Sequence, residues 1–246
     1  MSWPRSDAVI IDFLKCMYKV FPEDSIVGNK IVSLMDLAHS QIYQDVVALA
    51  YSDIKRNGYF VEFGACDGID MSNTFMLEQQ FGWTGILAEP ARVFHKALSE
   101  NRPNSKIDHN CIWSETDKTL PFFETEWHGG LSTVESYKDF DFATLPQHKG
   151  LREKGKIYDV NTVSLEDLLK KHDAPYEIDF LSIDTEGTEF EILSKFDFTK
   201  YKIKLIMCEH NYTASKDSIY NLLTTKGYKR ILENISYHDD WYILIS

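Results

Sequence analysis

The chain reads as an α/β domain on a mostly parallel sheet, closed by an antiparallel hairpin and preceded by helices. Three observations predict this. From residue 58 onward, short apolar runs alternate with stretches of helical periodicity. A glycine-bearing turn stands where the first run meets its helix. The last two runs are separated by only a short loop. A length of 246 residues accommodates one such domain with a well-buried core, or two small ones.

The elements follow in order. Ile11, Leu14, Cys16, Met17, Val20 and Phe21 keep a helical rhythm until Pro22 interrupts it. A second apolar-periodic stretch runs from Ile31 through Leu34, Leu37 and Ala38 to about Ile54. Residues 1–55 are therefore expected to form a helical cap, and 56–246 the main domain. The run 59–63 predicts a first strand ending at Gly64, with a helix around 74–78. The run 85–89 predicts a second strand stopped by Pro90, with a helix over 92–100, and 106–113 a third strand. Residues 114–156 hold Gly129, Gly130, Pro146, Gly150 and Gly155 among polar and aromatic residues, and are expected to be an insertion or substrate loop. A strand at 157–163 leads into a helix N-capped by Ser164. Strands at 179–183 and 204–208 follow, then a helix over 217–225 ended by Gly227, and closing strands at 228–232 and 241–245.

Composition narrows the function. Apolar residues at 43% and charged residues at 26% are ordinary for a globular protein. No run approaches the length of apolar sequence that spans a membrane. The start, Met1 to Asp7, lacks the pattern of a signal peptide. Cys16, Cys66, Cys111 and Cys208 lie far apart without a CxxC pair, which argues against a disulfide framework or a cysteine zinc site. A cytoplasmic location is the expectation. The net charge of −12 opposes a phosphate backbone, so nucleic acid is disfavoured as a partner. A small molecule, a glycan or a basic partner stays open, and oligomeric state is not readable.

The glycine turn is Glu62-Phe63-Gly64-Ala65-Cys66-Asp67-Gly68. Glycines let a backbone approach a ligand closely, and strand C-termini in open α/β sheets are where ligands bind. A dinucleotide turn favours G-x-G-x-x-G facing a pyrophosphate; here Cys66 stands at its middle glycine, and Glu62 and Asp67 would repel a diphosphate. Acidic residues there suit a cationic nucleoside such as S-adenosylmethionine. Glu89, closing the second strand, can accept the ribose hydroxyls. Ser72-Asn73-Thr74 is either a helix cap or a further cofactor contact.

These residues resemble a known family. Phe60-Val61-Glu62-Phe63-Gly64-Ala65, Ser72-Asn73-Thr74, Leu77-Glu78, Gly82-Trp83-Thr84-Gly85 and Ala88-Glu89-Pro90 succeed one another as in the FkbM methyltransferases. The stretch Ile178 to Glu189 is similar to that family's D-x-E-G-x-E signature, at Asp184, Glu186, Gly187 and Glu189. The resemblance covers about residues 40–245. It implies the Rossmann-like, seven-stranded class I methyltransferase sheet and S-adenosylmethionine as cofactor. It also implies Glu62, Gly64, Ala65 and Gly68 around the methionine end, Glu89 on the ribose, and Cys111 with Ile112 beside the adenine. Family members commonly methylate hydroxyls of sugars, glycolipids or polyketide-like products. Asp67 departs from the Asn that many members carry in this turn.

Methyl transfer to oxygen needs an acceptor held in line and a base within reach of its proton. Candidates gather at the ends of the fourth and fifth strands of the sheet: Asp184, Glu186, Glu209, His210 and Asn211. His210 is the expected base, since histidine titrates near neutrality. Asp184 is placed near the methyl or the acceptor, and Glu186-Gly187 is offered as a helix cap. Asp184 with Glu209, His210 or Asn211 also offers oxygen ligands to Mg²⁺, although metal-free transfer is the expectation. His128-Gly129-Gly130-Leu131-Ser132-Thr133 is read as a loop over the acceptor or an ordinary solvent loop. Trp113, Trp127, Tyr137 and Trp241 are either core or a sugar-stacking platform. Three other readings stand beside the leading one: a silent cofactor-binding module, a nucleotide-dependent oxidoreductase, and a methyltransferase acting on protein or RNA.

Overall fold

The computed structural model describes residues 6–126 and 129–245. Seven strands make the main sheet: β1 (Tyr59–Phe63), β2 (Thr84–Ala88), β3 (Lys106–Asp108), β8 (Glu177–Ile183), β9 (Lys202–Glu209), β10 (Tyr228–Ile231) and β11 (Asp239–Leu244). Their order is β10-β11-β9-β8-β1-β2-β3. All neighbours are parallel except β11, which runs antiparallel to both β9 and β10. The inner strands are apolar on both faces, as strands sandwiched between helix layers must be, so they read as continuous apolar runs without alternation.

Register is what builds the site. Phe63 lies opposite Ala88 on one side and Ile183 on the other, so β1, β2 and β8 end level with one another. The residues that follow, Gly64, Glu89 and Asp184, emerge at one edge. The chain reverses between β1 and β8 in strand order, the switch point at which open α/β sheets bind ligands.

Four further strands form a second sheet, ordered β4-β7-β5-β6: β4 (Cys111–Trp113), β5 (Thr119–Thr125), β6 (Thr133–Val134) and β7 (Gly155–Ser164). This corrects two expectations. The predicted third strand is two strands, because Asp108 accepts the N–H of Asn110 at 3.0 Å and turns the chain out of the main sheet. Lys171 and His172 also fasten on Asp108, each at 2.8 Å. The predicted strand at 157–163 belongs to β7, which pairs with β4 and β5 and not with the main sheet. The segment 114–156 is accordingly more ordered than a loop, carrying β5, β6 and the helix Gln147–Leu151.

Apolar packing covers both faces of the main sheet. On one, Phe13, Met17, Ile31, Leu34, Val46 and Leu49 from the leading helices join Phe60, Leu87, Met207 and Trp241. Within the first helix, Asp7–Val20, the inward face is Phe13 and Met17, whereas Ile11 and Val20 are exposed. On the other face, Leu165, Leu168, Ile192, Leu193, Ile219 and Leu223 pack on Val61, Leu181 and Ile206. Ser164 caps the helix Leu165–Lys171 as expected, accepting the Asp167 N–H at 3.2 Å. Trp241 is fully buried, and Trp113 and Tyr137 meet edge-on at 6.0 Å beside the second sheet's core. These three aromatics are thus packing residues; Trp127 lies outside the described residues. Among the described residues, no helix is long and apolar enough to cross a membrane.

Candidate functional site

A cavity partly open to solvent lies at the level edge of β1, β2 and β8. Gly64 and Cys66 line it after β1, Glu89 and Pro90 after β2, Cys111 and Ile112 from β4, and Asp184 and Thr185 after β8. Gly129, Gly130, Ser132, Phe122 and Val134 close it from the second sheet. The 114–156 segment is therefore a wall of the cavity.

Gly64 is required twice over. Its φ of +72° falls in the left-handed region, and a Cβ there would come within 2.1 Å of the Asp184 carbonyl oxygen. The N–H groups of Gly64 and Ala65 both donate to Ala88 O, at 3.1 and 3.3 Å, which ties the turn to β2. Gly68 also has a positive φ, +81°, but its neighbours are the Leu98 and Arg102 side chains, and it stands off the cavity. Asp67 is spent on the turn itself, accepting the N–H groups of Ile69 and Asp70 at 2.9 Å each.

Glu62 turns away from the cavity lining. Its carboxylate accepts from the Asn73 N–H at 2.7 Å and from the Ser72 and Thr74 hydroxyls. Burial pushes its carboxyl above the ordinary carboxylate range, against the pull of Arg102. Arg102 is fully buried and donates to Glu78, to the Gly68 carbonyl and to Thr74. No periodicity marks it, since it joins residues more than twenty positions away. Asn73 donates its amide to Ser182 at 2.8 Å, and its Oδ1 is buried without a partner.

Glu89 is buried on the cavity wall. One oxygen accepts the Cys66 N–H at 2.9 Å and the other the Ala91 N–H at 2.7 Å. Burial lifts its carboxyl to about 7, more than those two donors hold it down. Each oxygen keeps a lone pair for a ligand hydroxyl.

The far side of the cavity is strongly acidic. Asp184, Glu186 and Glu209 bring carboxylate oxygens within 4.8 Å of one another. Burial, with Asp239 and Glu189 nearby, raises Asp184 to about 8, and burial beside Asp184 pushes Glu186 and Glu209 well up. Glu186 is locked to the fully buried Arg152 at 2.5 Å, and Arg152 also binds Asp141 at 2.6 Å. The capping expected of Glu186-Gly187 is not made: the helix Glu189–Lys195 follows Thr188 with no side-chain cap, and Glu189 turns its carboxylate back onto the loop, accepting the N–H groups of Thr185 and Gly187 at 2.9 and 3.0 Å. Glu186 is committed to a guanidinium, and a charged donor outbids a solvent-side backbone amide.

His210 does not stand on the cavity lining. Its ring is buried, Nδ1 accepts the Tyr212 N–H at 3.0 Å, and Nε2 faces Asp240 Oδ1 at 3.6 Å. The lone pair a base would use is occupied in holding a loop, which removes the geometric case for His210 as base. Asn211 likewise spends its amide on Glu186, at 3.3 Å. His128 lies outside the described residues. Arg152 and Asp141, which the sequence reading passed over, are the main residues added by the structure.

The comparisons bear on this arrangement. Among solved structures, the chain is similar to a methyltransferase from Geobacter sulfurreducens at 10% identity, covering 100% of both chains with a TM-score of 0.45. It is similar to the O-methyltransferase from Bacillus cereus in complex with SAH at 11% identity, covering 95% of each chain with a TM-score of 0.44. Precorrin-6y C5,15-methyltransferase from Geobacter metallireducens aligns at 10% identity over 81% of this chain and 85% of that one, with a TM-score of 0.44. These likenesses are distant. No curated protein matches the sequence. The Methyltransferase FkbM domain, however, matches residues 62–241, from the glycine-turn acid to the last strand, and the chain belongs to the FkbM methyltransferase family.

Proposed function

We propose that the protein transfers a methyl group from S-adenosylmethionine to a hydroxyl oxygen of a saccharide or related small metabolite. One observation carries the reading: Glu89, Gly64 and Asp184 meet at one cavity whose charged walls are carboxylates, suited to a cationic, phosphate-free nucleoside. The residues fit that cofactor. Glu89 has lone pairs for the two ribose hydroxyls, and Cys111 and Ile112 give the base an apolar floor. The orphaned Asn73 Oδ1 is an acceptor for an ammonium N–H.

When bound, the cofactor supplies a methyl carbon already activated by sulfonium. The protein's part is to hold an acceptor oxygen in line with that carbon, an orientation effect worth up to about 7–11 kcal/mol. The new O–C bond forms as the C–S bond breaks, and the hydroxyl proton goes to a carboxylate. We assign that proton to Asp184 in place of His210, because Asp184 lines the cavity and its pKa of about 8 lies near working pH. Positive charge beside it favours its ionised form.

The test is transfer of labelled methyl from S-adenosylmethionine to a panel of glycans and hydroxylated small compounds. Base-stable label on a sugar hydroxyl is the expected result; label only on polyketide-like compounds moves the acceptor class. Cofactor binding without transfer to any hydroxyl would instead favour a silent binding module. Asp184→Asn is expected to lower turnover by about 10²–10⁴-fold, the range of a lost general base. A loss of that size for His210→Ala with none for Asp184→Asn reverses the assignment.

A further inference from the structure

Glu186 belongs to two clusters of potential ligand atoms, one with Asp141 and His148, the other with Asp184 and Glu209. The first already holds a cation, because the Arg152 guanidinium reaches both Asp141 and Glu186. The second shares Glu186 with that guanidinium through Oε2, but among the described residues no cation pairs with its Asp184 or Glu209. Two nearby carboxylates are otherwise satisfied: Glu189 takes backbone N–H groups, and Asp239 takes the Gln44 amide at 3.1 Å and the Trp241 indole N–H at 3.3 Å. Glu209 is different. It is only 7% exposed, and its Oε2 has no hydrogen-bond partner. A buried carboxylate oxygen left unpaired beside two other carboxylates is costly unless a proton or a cation joins it.

We propose that Asp184, Glu186 and Glu209 bind a divalent, oxygen-preferring cation at the tips of β8 and β9. The donor set is three hard carboxylates with no sulfur or imidazole, the chemistry of Mg²⁺, Ca²⁺ or Mn²⁺. Oxygens on opposite sides of an ion at about 2.1 Å are about 4.2 Å apart, and at about 2.4 Å about 4.8 Å apart. The three oxygens here all lie within 4.8 Å of one another, a spacing that one such ion can span. His210 and Asn211, the other candidates at these strand ends, stand outside the three-carboxylate cluster: His210 Nδ1 accepts the Tyr212 N–H, and the Asn211 amide N–H donates to Glu186. Asp184 is the ligand that also lines the cavity, which gives the ion an entry path and a face toward an acceptor. A bound ion would replace Asp184 as the group that favours loss of the hydroxyl proton, since a ligated carboxylate is no longer a free base; that role rests on the function proposed above, and the binding itself does not.

Metal-stripped protein titrated with Mn²⁺, with free Mn²⁺ read by paramagnetic resonance, is expected to show one saturable site displaced by Mg²⁺ or Ca²⁺. Glu209→Gln and Glu186→Gln should each weaken Mn²⁺ by about tenfold or more. Glu209→Gln should leave the calorimetric affinity for S-adenosylhomocysteine in place. Its metal-free form should melt above metal-free wild type, since carboxylate repulsion is relieved, and should lose the rise in Tm that Mn²⁺ gives wild type. Mn²⁺ uptake by a preparation that methylates nothing still supports the site. Absence of saturable uptake, or uptake indifferent to both substitutions, overturns it.

Discussion

Glu89 offers the sharpest separation of stability from function. Burial lifts its carboxyl from 4.5 to about 7, so between those values the folded state binds a proton that the unfolded chain releases. Its contribution is therefore neutral below pH 4.5 and grows more destabilising as pH rises through 7. Two and a half pKa units at 1.36 kcal/mol each give about 3 kcal/mol at full ionisation, and about 2–3 kcal/mol between pH 5 and pH 8. Glu89→Gln removes the titration. It also loses a hydrogen bond to either the Cys66 or the Ala91 N–H, a cost that does not vary with pH and cancels on comparing the two conditions. The assay is urea unfolding of wild type and variant at pH 5 and pH 8, with calorimetry of S-adenosylmethionine at pH 8. Wild type should lose about 2–3 kcal/mol more than Glu89→Gln over that range, while the variant binds cofactor more weakly. Equal losses in both proteins would refute the claim that Glu89 is buried at a cost. Equal affinities would refute its place on the ribose.

Two other outcomes follow from the geometry. Gly64→Ala should lose about 1–2 kcal/mol to its left-handed φ and about 1–3 kcal/mol more to contact with the Asp184 carbonyl, read as a lower urea midpoint at unchanged m. A midpoint equal to wild type would show that the close approach of β1 to β8 is not as described. Arg152→Met removes the guanidinium from the buried Asp141 and Glu186, leaving them His148 and the Asn211 amide, and should cost about 3–5 kcal/mol at pH 8. Its deficit should shrink toward acid pH, where Glu186, its carboxyl already pushed up by burial, takes up a proton; a deficit independent of pH would assign the loss to packing over Phe140 instead.

How much of this was legible in the sequence depended on the kind of contact. β1, β2, β8 and β9 were readable because parallel pairing buries both faces and leaves compact apolar runs. Glu89 and Asp184 were readable as strand-tip residues for the same reason. The departure of β4 and β7 from the main sheet was not, because it turns on one Asp108–Asn110 hydrogen bond inside an otherwise strand-like stretch. β7 is largely exposed along its first half, so its apolar signal is weak. Arg102 and Arg152 act through polar partners far off in sequence, which leave no period to detect. For His210 the residue type suggested a base, but proton chemistry depends on which nitrogen is already taken, and only the fold decides that.

The cavity draws its two halves from different sheets. Gly64, Glu89 and Asp184 hang from strands locked in register, whereas Phe122, Ser132 and Val134 arrive on the β5–β6 hairpin and its connection. On the proposed function, a change of volume or polarity at those three positions would alter what can lie opposite the methyl donor without moving the strands that would seat it. On that reading, acceptor choice would be retuned on a hairpin, apart from the register-locked strands that would hold the donor.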